Sequence, residues 1–407
     1  MRKTLFFFIA FLLTRGLMAQ ETKPWFQNGP WQNNLSKDYM EPVNPNSTQK
    51  VKKLFYFIQD IQGKYTLSGQ HNFCGKGSEY TDQLEKLTGK KAIIWGSDFS
   101  FCVEGEDAMR YQHCGPANLP AISMDAFRLP PDSARRMFKM QPKFLDITLN
   151  EARSLMITEA IKRYAEGHII TLMWHGCYPT EGDCCKGSSI WAMENRPTPE
   201  EWDKLVTEGT ELNKAWKEGA DKIAGYLKQL QDADIPVLWR PYHEMNGVWF
   251  WWCNQKGDQG FKRLWIMMYD YFTNHHKINN LIWVWNTNAP RDLPNDEAWP
   301  YEWFYPGDEY VDILAADVYR KDYKQSHHDQ LVSLGKGKPI ALGEVGELPT
   351  TEILQQQPKW TWYMPWGWIL FMANNPDEIK KVISSEQVLT LDEIGTDKKG
   401  LYSLKAQ

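Results

Sequence analysis

Eight short apolar runs, most of them separated by helix-patterned segments, constrain this chain more than any other feature. They cover residues 65–70, 92–95, 169–174, 236–239, 281–285, 311–315, 340–343 and 360–364. Several are continuously apolar, with no alternation of polar residues. That is the pattern of parallel strands buried on both faces. Val51, Leu54, Phe55, Ile58 and Ile61 recur at helical spacing ahead of the first run, and further helical patterns cover about 148–166, 199–232 and 259–275. The segment 199–232 opens on Thr198, with Pro199 at the first helical position and Glu201 completing a capping box. No internal repeat or low-complexity linker divides the sequence. Eight β/α units in one uninterrupted stretch predict an α/β fold, a single-domain (β/α)8 TIM barrel over residues 48–407, following a polar lead-in at 20–47. At 407 residues the chain exceeds the usual ~250 of such barrels, so long loops must be inserted.

The first 19 residues read as a secretory signal peptide. Arg2 and Lys3 form a basic start, residues 5–13 are unbroken apolar, and Ala19 offers a small residue for cleavage. Nine apolar residues fall short of the roughly twenty that cross a bilayer, and no later run is long enough, so no transmembrane segment is expected and the mature protein is expected to be secreted or periplasmic. Losing Arg2, Lys3 and Arg15 with that segment takes the net charge from -5 to -8. An acidic chain argues against a nucleic-acid partner. The 20 tryptophans are more than a core requires, and flat indole faces suit the CH-rich faces of sugars. Seven cysteines (Cys74, Cys102, Cys114, Cys177, Cys184, Cys185, Cys253) fit an oxidising compartment, with at least one left unpaired and the pairing undetermined. The neighbours His71/Cys74, His113/Cys114 and His175/Cys177 lack a metal-binding spacing, so disulfides or thiols are favoured and no metal or other cofactor is expected.

The insertions, at about 100–146, 177–198, 246–258, 286–309 and 345–358, each follow a strand, which places them at the C-terminal rim where such barrels carry their active sites. Strand 4 leads into Arg240-Pro241-Tyr242-His243-Glu244-Met245-Asn246-Gly247, followed by Trp249-Phe250-Trp251-Trp252, and strand 7 ends in Gly343-Glu344. Strands 4 and 7 lie nearly across the barrel, so Glu244 and Glu344 are expected to face one another over an aromatic-lined mouth. Glycoside hydrolysis requires such a pair, one carboxyl protonated and the other ionised. Aromatic crowding should raise the Glu244 pKa, and a hydrogen bond from Tyr319 should keep Glu344 ionised, with its flanking glycines leaving it exposed. Asp98 and Asp317 stand at strand ends where they either brace the rim or touch sugar, and Trp191 stands where it would extend a cleft.

The block 240–252 closely resembles the acid/base signature of glycoside hydrolase family 26, the β-mannanase family. Trp174-His175 resembles its strand-3 motif, Asp317-Val318-Tyr319 its strand-6 motif and Glu344 its strand-7 nucleophile, over about residues 60–370. The resemblance implies a retaining mechanism with Glu244 as general acid/base and Glu344 as nucleophile. It also implies that His175, His243, Trp249, Tyr319 and Trp366 hold the sugar. The clustered cysteines depart from the family's pattern. The expected activity is endo-attack on β-1,4-mannosidic bonds in mannans, glucomannans or galactomannans. A mannobiose-releasing exo-enzyme, a β-glucanase or xylanase on the same scaffold, and an inactive glycan-binding protein are the alternatives. Mannan-type poly- or oligosaccharide is the expected partner; the oligomeric state is not legible.

Overall fold

The structure, a computed structural model, describes residues 38–100, 148–183, 185, 190, 197–290, 297–396 and 402–404. The leader, most of the lead-in, the bulk of the insertion after the second strand, Cys102, His113, Cys114, Cys184 and Trp191 lie outside the described residues.

Eight parallel strands form the barrel: β1 Thr66–His71, β2 Ile94–Asp98, β3 Ile169–Trp174, β4 Val237–Pro241, β5 Leu281–Asn288, β6 Ile313–Val318, β7 Ile340–Val345 and β8 Trp360–Pro365. Each pairs with the next, and β8 pairs back onto β1, so the sheet closes. The surrounding helices are α1 Gln49–Ile61, α2 Glu79–Thr88, α3 Leu149–Ala165, α4 Pro199–Val206, α5 Glu211–Asp232, α6 Phe261–Asp270, α7 Gln325–Gly335, α8 Thr351–Gln356, α9 Ile369–Ala373 and α10 Pro376–Ile383. After them a short β9, Val388–Leu389, adds in parallel to the start of β1. An antiparallel pair, β10 Ile394–Thr396 and β11 Tyr402–Leu404, closes the described chain.

All eight predicted strands are present. The single helix expected over 199–232 is two, because Thr207 leaves the helix, Gly209 adopts a left-handed φ of 84°, and Thr210 starts a second helix by accepting from Asn213 N. The capping box of Thr198 and Glu201 forms as expected, as does one between Thr148 and Glu151 at the head of α3.

Side-chain alternation divides the apolar residues into two cores. Inward residues such as Leu67, Ile94, Ile169, Leu238, Ile282, Ile313, Ala341 and Trp362 fill the barrel floor, and the apolar face of α1 closes it from below with Leu54, Phe55, Ile58 and Ile61. Outward residues, among them Trp95, Trp239, Trp283 and Leu342, pack against the helices. The end of the lead-in is tied to this base: Val43 N donates to Asp312 Oδ1 at 2.7 Å, and Asn44 Nδ2 to Ile278 O at 3.1 Å.

One irregularity positions the site. In the β6–β7 ladder Ala316 pairs with Leu342 but Asp317 with Glu344, so Gly343 is bulged out of register. Simple alternation after inward Ala341 and outward Leu342 would turn Glu344 outward. The extra residue resets the alternation and brings Glu344 beside Asp317. Only glycine fits at the bulge, since a Cβ there would stand 1.7 Å from Asn286 Oδ1 and 2.9 Å from Asp317 Oδ1.

Candidate active site

Above the apolar floor, the inward positions of the strands turn polar. Arg240 of β4 and Asn286 of β5 are fully buried there, and Arg240 Nη1 donates to Asn286 Oδ1 at 2.8 Å. Asn286 Nδ2 in turn donates to Asp317 Oδ1 at 2.7 Å. This chain of contacts spans β4 to β6 and underlies the carboxyl of Glu344, whose Oε1 is 3.9 Å from Arg240 Nη1.

Glu344 Oε2 accepts a hydrogen bond from the Tyr319 hydroxyl at 3.0 Å, and its Oε1 lies 3.4 Å from His243 Nε2. The hydroxyl contact is the one expected from sequence, but its electrostatic consequence differs. Glu344 is only 3% exposed. Burial pushes its pKa up to about 7, outweighing the lowering by Arg240 and by the Tyr319 hydrogen bond. The flanking glycines therefore do not expose the carboxylate. Gly343 serves the bulge, and the Tyr319 ring covers Gly346, where a Cβ would meet it at 2.7 Å.

Beyond β4, Tyr242 and Glu244 both adopt positive φ, 47° and 54°. Non-glycine residues occupy this region at a cost, and do so mostly where the surroundings dictate it. Here Glu244 N donates to Asn286 O at 2.8 Å, Gly247 N to Glu244 O at 2.9 Å and Cys253 Sγ to Glu244 O at 3.1 Å. The side chain is held as well: Trp249 Nε1 donates to Glu244 Oε2 at 2.5 Å. Ligand atoms of His243, Glu244 and Asp317 lie within 4.8 Å of one another, a set whose donor types would also suit a cation. Asp317 is held well above the usual carboxylate range by burial and by the charges of Glu344 and Glu244. With Asp317 and Glu344 both raised by burial, the cluster holds a proton more firmly than exposed acids would.

The remaining predicted residues surround this cluster. His175, ending β3, has Nδ1 2.6 Å from Asp98 Oδ2 of β2, and its ring meets that of His243 edge-on at 4.2 Å. Where the Asp98 carboxyl accepts this hydrogen bond, the imidazole proton is held on Nδ1. Burial holds His175 below the usual imidazole range although Asp98 pulls it up. Trp366, after β8, stacks on His71 at 4.0 Å and meets His175 edge-on at 5.9 Å. Thus His175, His243, Glu244, Trp249, Tyr319, Glu344 and Trp366 converge on one mouth. Trp251 and Trp252 are fully buried and pack the loop, donating to Gly176 O and His243 O, each at 2.8 Å.

Arg240 and Asn286 stand at the ends of strands 4 and 5 in the sequence with no role legible there, although a charged residue inside a buried parallel strand is a signal for one. Asp98, which the sequence leaves between bracing the rim and touching sugar, contacts a site histidine. Cys177 forms a disulfide with Cys185 in the loop after β3, so it is not a partner of His175 in a metal site, while Cys74 and Cys253 are buried thiols. Among the described residues no helix is long and apolar enough to cross a membrane.

Comparison with known proteins agrees with this architecture. The profile of glycosyl hydrolase family 26 matches residues 43–107 and 146–393. A mannan endo-1,4-beta-mannosidase from Thermothelomyces thermophilus is 31% identical over 371 residues, covering 86% of this chain and 62% of the relative. Mannan endo-1,4-beta-mannosidase A from Piromyces sp. is 28% identical, covering 86% of this chain and 50% of the relative. The chain thus spans about half to three fifths of the length of these curated relatives. Among solved structures, GH26A from Muricauda sp. superposes with a TM-score of 0.72 at 42% identity, covering 86% of this chain and 99% of that one. A beta-mannanase from a symbiotic protist of the termite Reticulitermes speratus, solved with a gluco-manno-oligosaccharide, gives 0.65 at 27% identity, covering 88% and 98%. With the profile spanning both the floor of the barrel and every strand that carries a site residue, the chain belongs to glycosyl hydrolase family 26.

Proposed function

We propose that this chain is a secreted, retaining endo-β-1,4-mannanase acting on mannans, glucomannans or galactomannans. Glu344 is the nucleophile and Glu244 the general acid/base. The observation that carries this reading is the bulge at Gly343, which turns Glu344 into the mouth beside His243 and Asp317, the two residues that also neighbour Glu244. A backbone irregularity that re-aims one carboxylate toward another serves chemistry rather than stability.

In the first step the Glu344 carboxylate forms a bond to the anomeric carbon while the bond from that carbon to the leaving oxygen breaks, and Glu244 transfers its proton to that oxygen. Glu244 then takes a proton from water, whose oxygen displaces Glu344 at the same carbon and restores the free enzyme with retained configuration. Tyr319 steadies the nucleophile, and His175, His243, Trp249 and Trp366 hold the sugar beside the scissile bond. Two carboxyls suffice for this chemistry without a metal. The mannan preference and endo mode are supported by the names of the relatives, and export by the leader-like pattern of residues 1–19.

A reducing-sugar screen on mannan, glucomannan, galactomannan, lichenan and xylan tests the substrate class. Release from the mannans, with oligosaccharides of mixed length from the first time points and a rapid fall in viscosity, is the expected result. Mannobiose alone with viscosity nearly unchanged would replace endo by exo attack, and release only from lichenan or xylan would overturn the mannan reading.

A further inference from the structure

The loop between β5 and β6 carries two tryptophans that the site described above does not use. Trp303 is 43% exposed, the most solvent-exposed tryptophan among the described residues, and Trp299 is half-buried. One exposed indole is unremarkable on a protein surface. Here, however, the Lys256 ammonium lies 3.6 Å from the ring centroid of Trp299 and 5.7 Å from that of Trp303, which gathers both indoles around one cation. The backbones on both sides are fixed: Trp299 N donates to Asn246 O at 3.0 Å, Asn246 Nδ2 donates to Trp299 O at 3.3 Å, and Gly257 N donates to Trp303 O at 3.0 Å. Asn246 is two residues beyond Glu244 and also clamps the end of β5, donating to Asn288 O and accepting from Asn288 N.

We propose that Trp299 and Trp303, bridged by Lys256, form a binding platform for hexose units on the leaving-group side of the cleaved bond. The proposal rests on the assignment of Glu244 as the general acid. The acid protonates the oxygen that departs, so the sugars beyond that oxygen lie on the side of the acid's own loop. The platform is built onto that loop through Asn246 and Gly257. Trp249, hydrogen-bonded to Glu244, stands on the same loop as Asn246, whose backbone and side chain hold Trp299. Indole faces take the CH-rich faces of pyranose rings, and the lysine supplies N–H donors for their hydroxyls. Because the platform is anchored through backbone hydrogen bonds, little ordering cost falls on binding. A platform of this kind favours long chains and internal attack, since it is filled only when sugars extend past the cut.

Trp303→Ala and Trp303→Phe, compared with the wild-type protein, test it. The kinetic readout is kcat/KM on mannohexaose against an aryl β-mannobioside, whose aglycone ends at the first position beyond the cut. For Trp303→Ala the loss on the hexasaccharide, carried by KM, should exceed that on the aryl substrate at least fivefold, and Trp303→Phe should recover part of it. Equal losses on both substrates, or none on either, would overturn the platform. Affinity electrophoresis through gels containing glucomannan, lichenan or xylan separates this from failure of the mannanase reading. Retardation of wild type by some β-glycan, weakened in Trp303→Ala, supports the platform whichever glycan is hydrolysed. Retardation by glucomannan with equal strength in both proteins, or by no glycan at all, removes it.

Discussion

Replacing Tyr319 by Phe removes one hydroxyl and leaves the ring that packs over Gly346. That hydroxyl donates to Glu344 Oε2 at 3.0 Å and is among the groups that lower a carboxyl pKa raised by burial to about 7. A hydrogen bond to a charged group contributes about 1.5–3 kcal/mol, and one pH unit corresponds to about 1.4 kcal/mol. Without the donor the ionised form loses that stabilisation, so the apparent pKa should climb by about one to two units. In the proposed mechanism only ionised Glu344 attacks, so kcat/KM should fall as the pH drops through this pKa, and the acid limb of the profile belongs to the free enzyme. The wild-type limb should lie near pH 7 and that of Tyr319→Phe about one to two units higher, with unchanged thermal melting at low pH. Because Glu344 shares its environment with Asp317 and Glu244, the limb reports the cluster, and the direction of the move is the decisive quantity. A limb that stays in place, or moves to lower pH, would refute the reasoning.

Other perturbations probe the same construction. Gly343→Ala forces a Cβ to within 1.7 Å of Asn286 Oδ1; overpacking should destabilise by about 1–3 kcal/mol and misplacement of the nucleophile should cut kcat/KM on the order of 100-fold, so melting and kinetics near wild type would contradict the bulge argument. Glu344→Gln should be more stable than wild type at pH 8, because a carboxyl whose folded pKa is raised from 4.5 to about 7 contributes stability that is full below 4.5 and lost as pH rises through 7. The gain should approach ~3 kcal/mol at high pH and vanish toward pH 4.5, and a pH-independent difference in denaturant titrations would count against it. Asp98→Asn frees the proton placement on His175 and should lower kcat/KM on the order of tenfold, one charge-assisted hydrogen bond, chiefly through KM. A change confined to melting temperature would make Asp98 structural only.

How far the sequence was readable depends on the physics behind each feature. The barrel was legible because strands buried on both faces must be apolar, and all eight runs became strands. Their C-terminal ends were undercut for the reason that makes them interesting. β5 continues through Asn286, Thr287 and Asn288, where apolar periodicity stops because the barrel interior has become the polar site. Glu244 and Glu344 were legible from their position after strands 4 and 7. The bulge at Gly343 was not, since register is a property of two strands and appears in neither alone. The burial of Glu344 is hidden in the sequence, where glycines suggest open space; Asn286 and Asp317 fill the space beside Gly343, and Tyr319 the space beside Gly346. The Asp98–His175 contact joins residues 77 positions apart, which no local pattern encodes. The break between α4 and α5 is encoded locally in Gly209 and Thr210, but the helical period that continues on either side masks it in the sequence.

The central claim is that Glu344 attacks a mannosyl carbon while Glu244 delivers the proton, and trapping the intermediate tests it most directly. In Glu244→Ala, an activated aryl β-mannoside departs without protonation, but the following hydrolysis lacks its base, so the glycosyl-enzyme should accumulate. Intact-protein mass spectrometry after rapid quenching should show one added mannosyl unit, peptide mapping should place it on Glu344, and azide should release it as the β-mannosyl azide. No adduct under burst conditions, or an adduct on any other residue, would contradict the account.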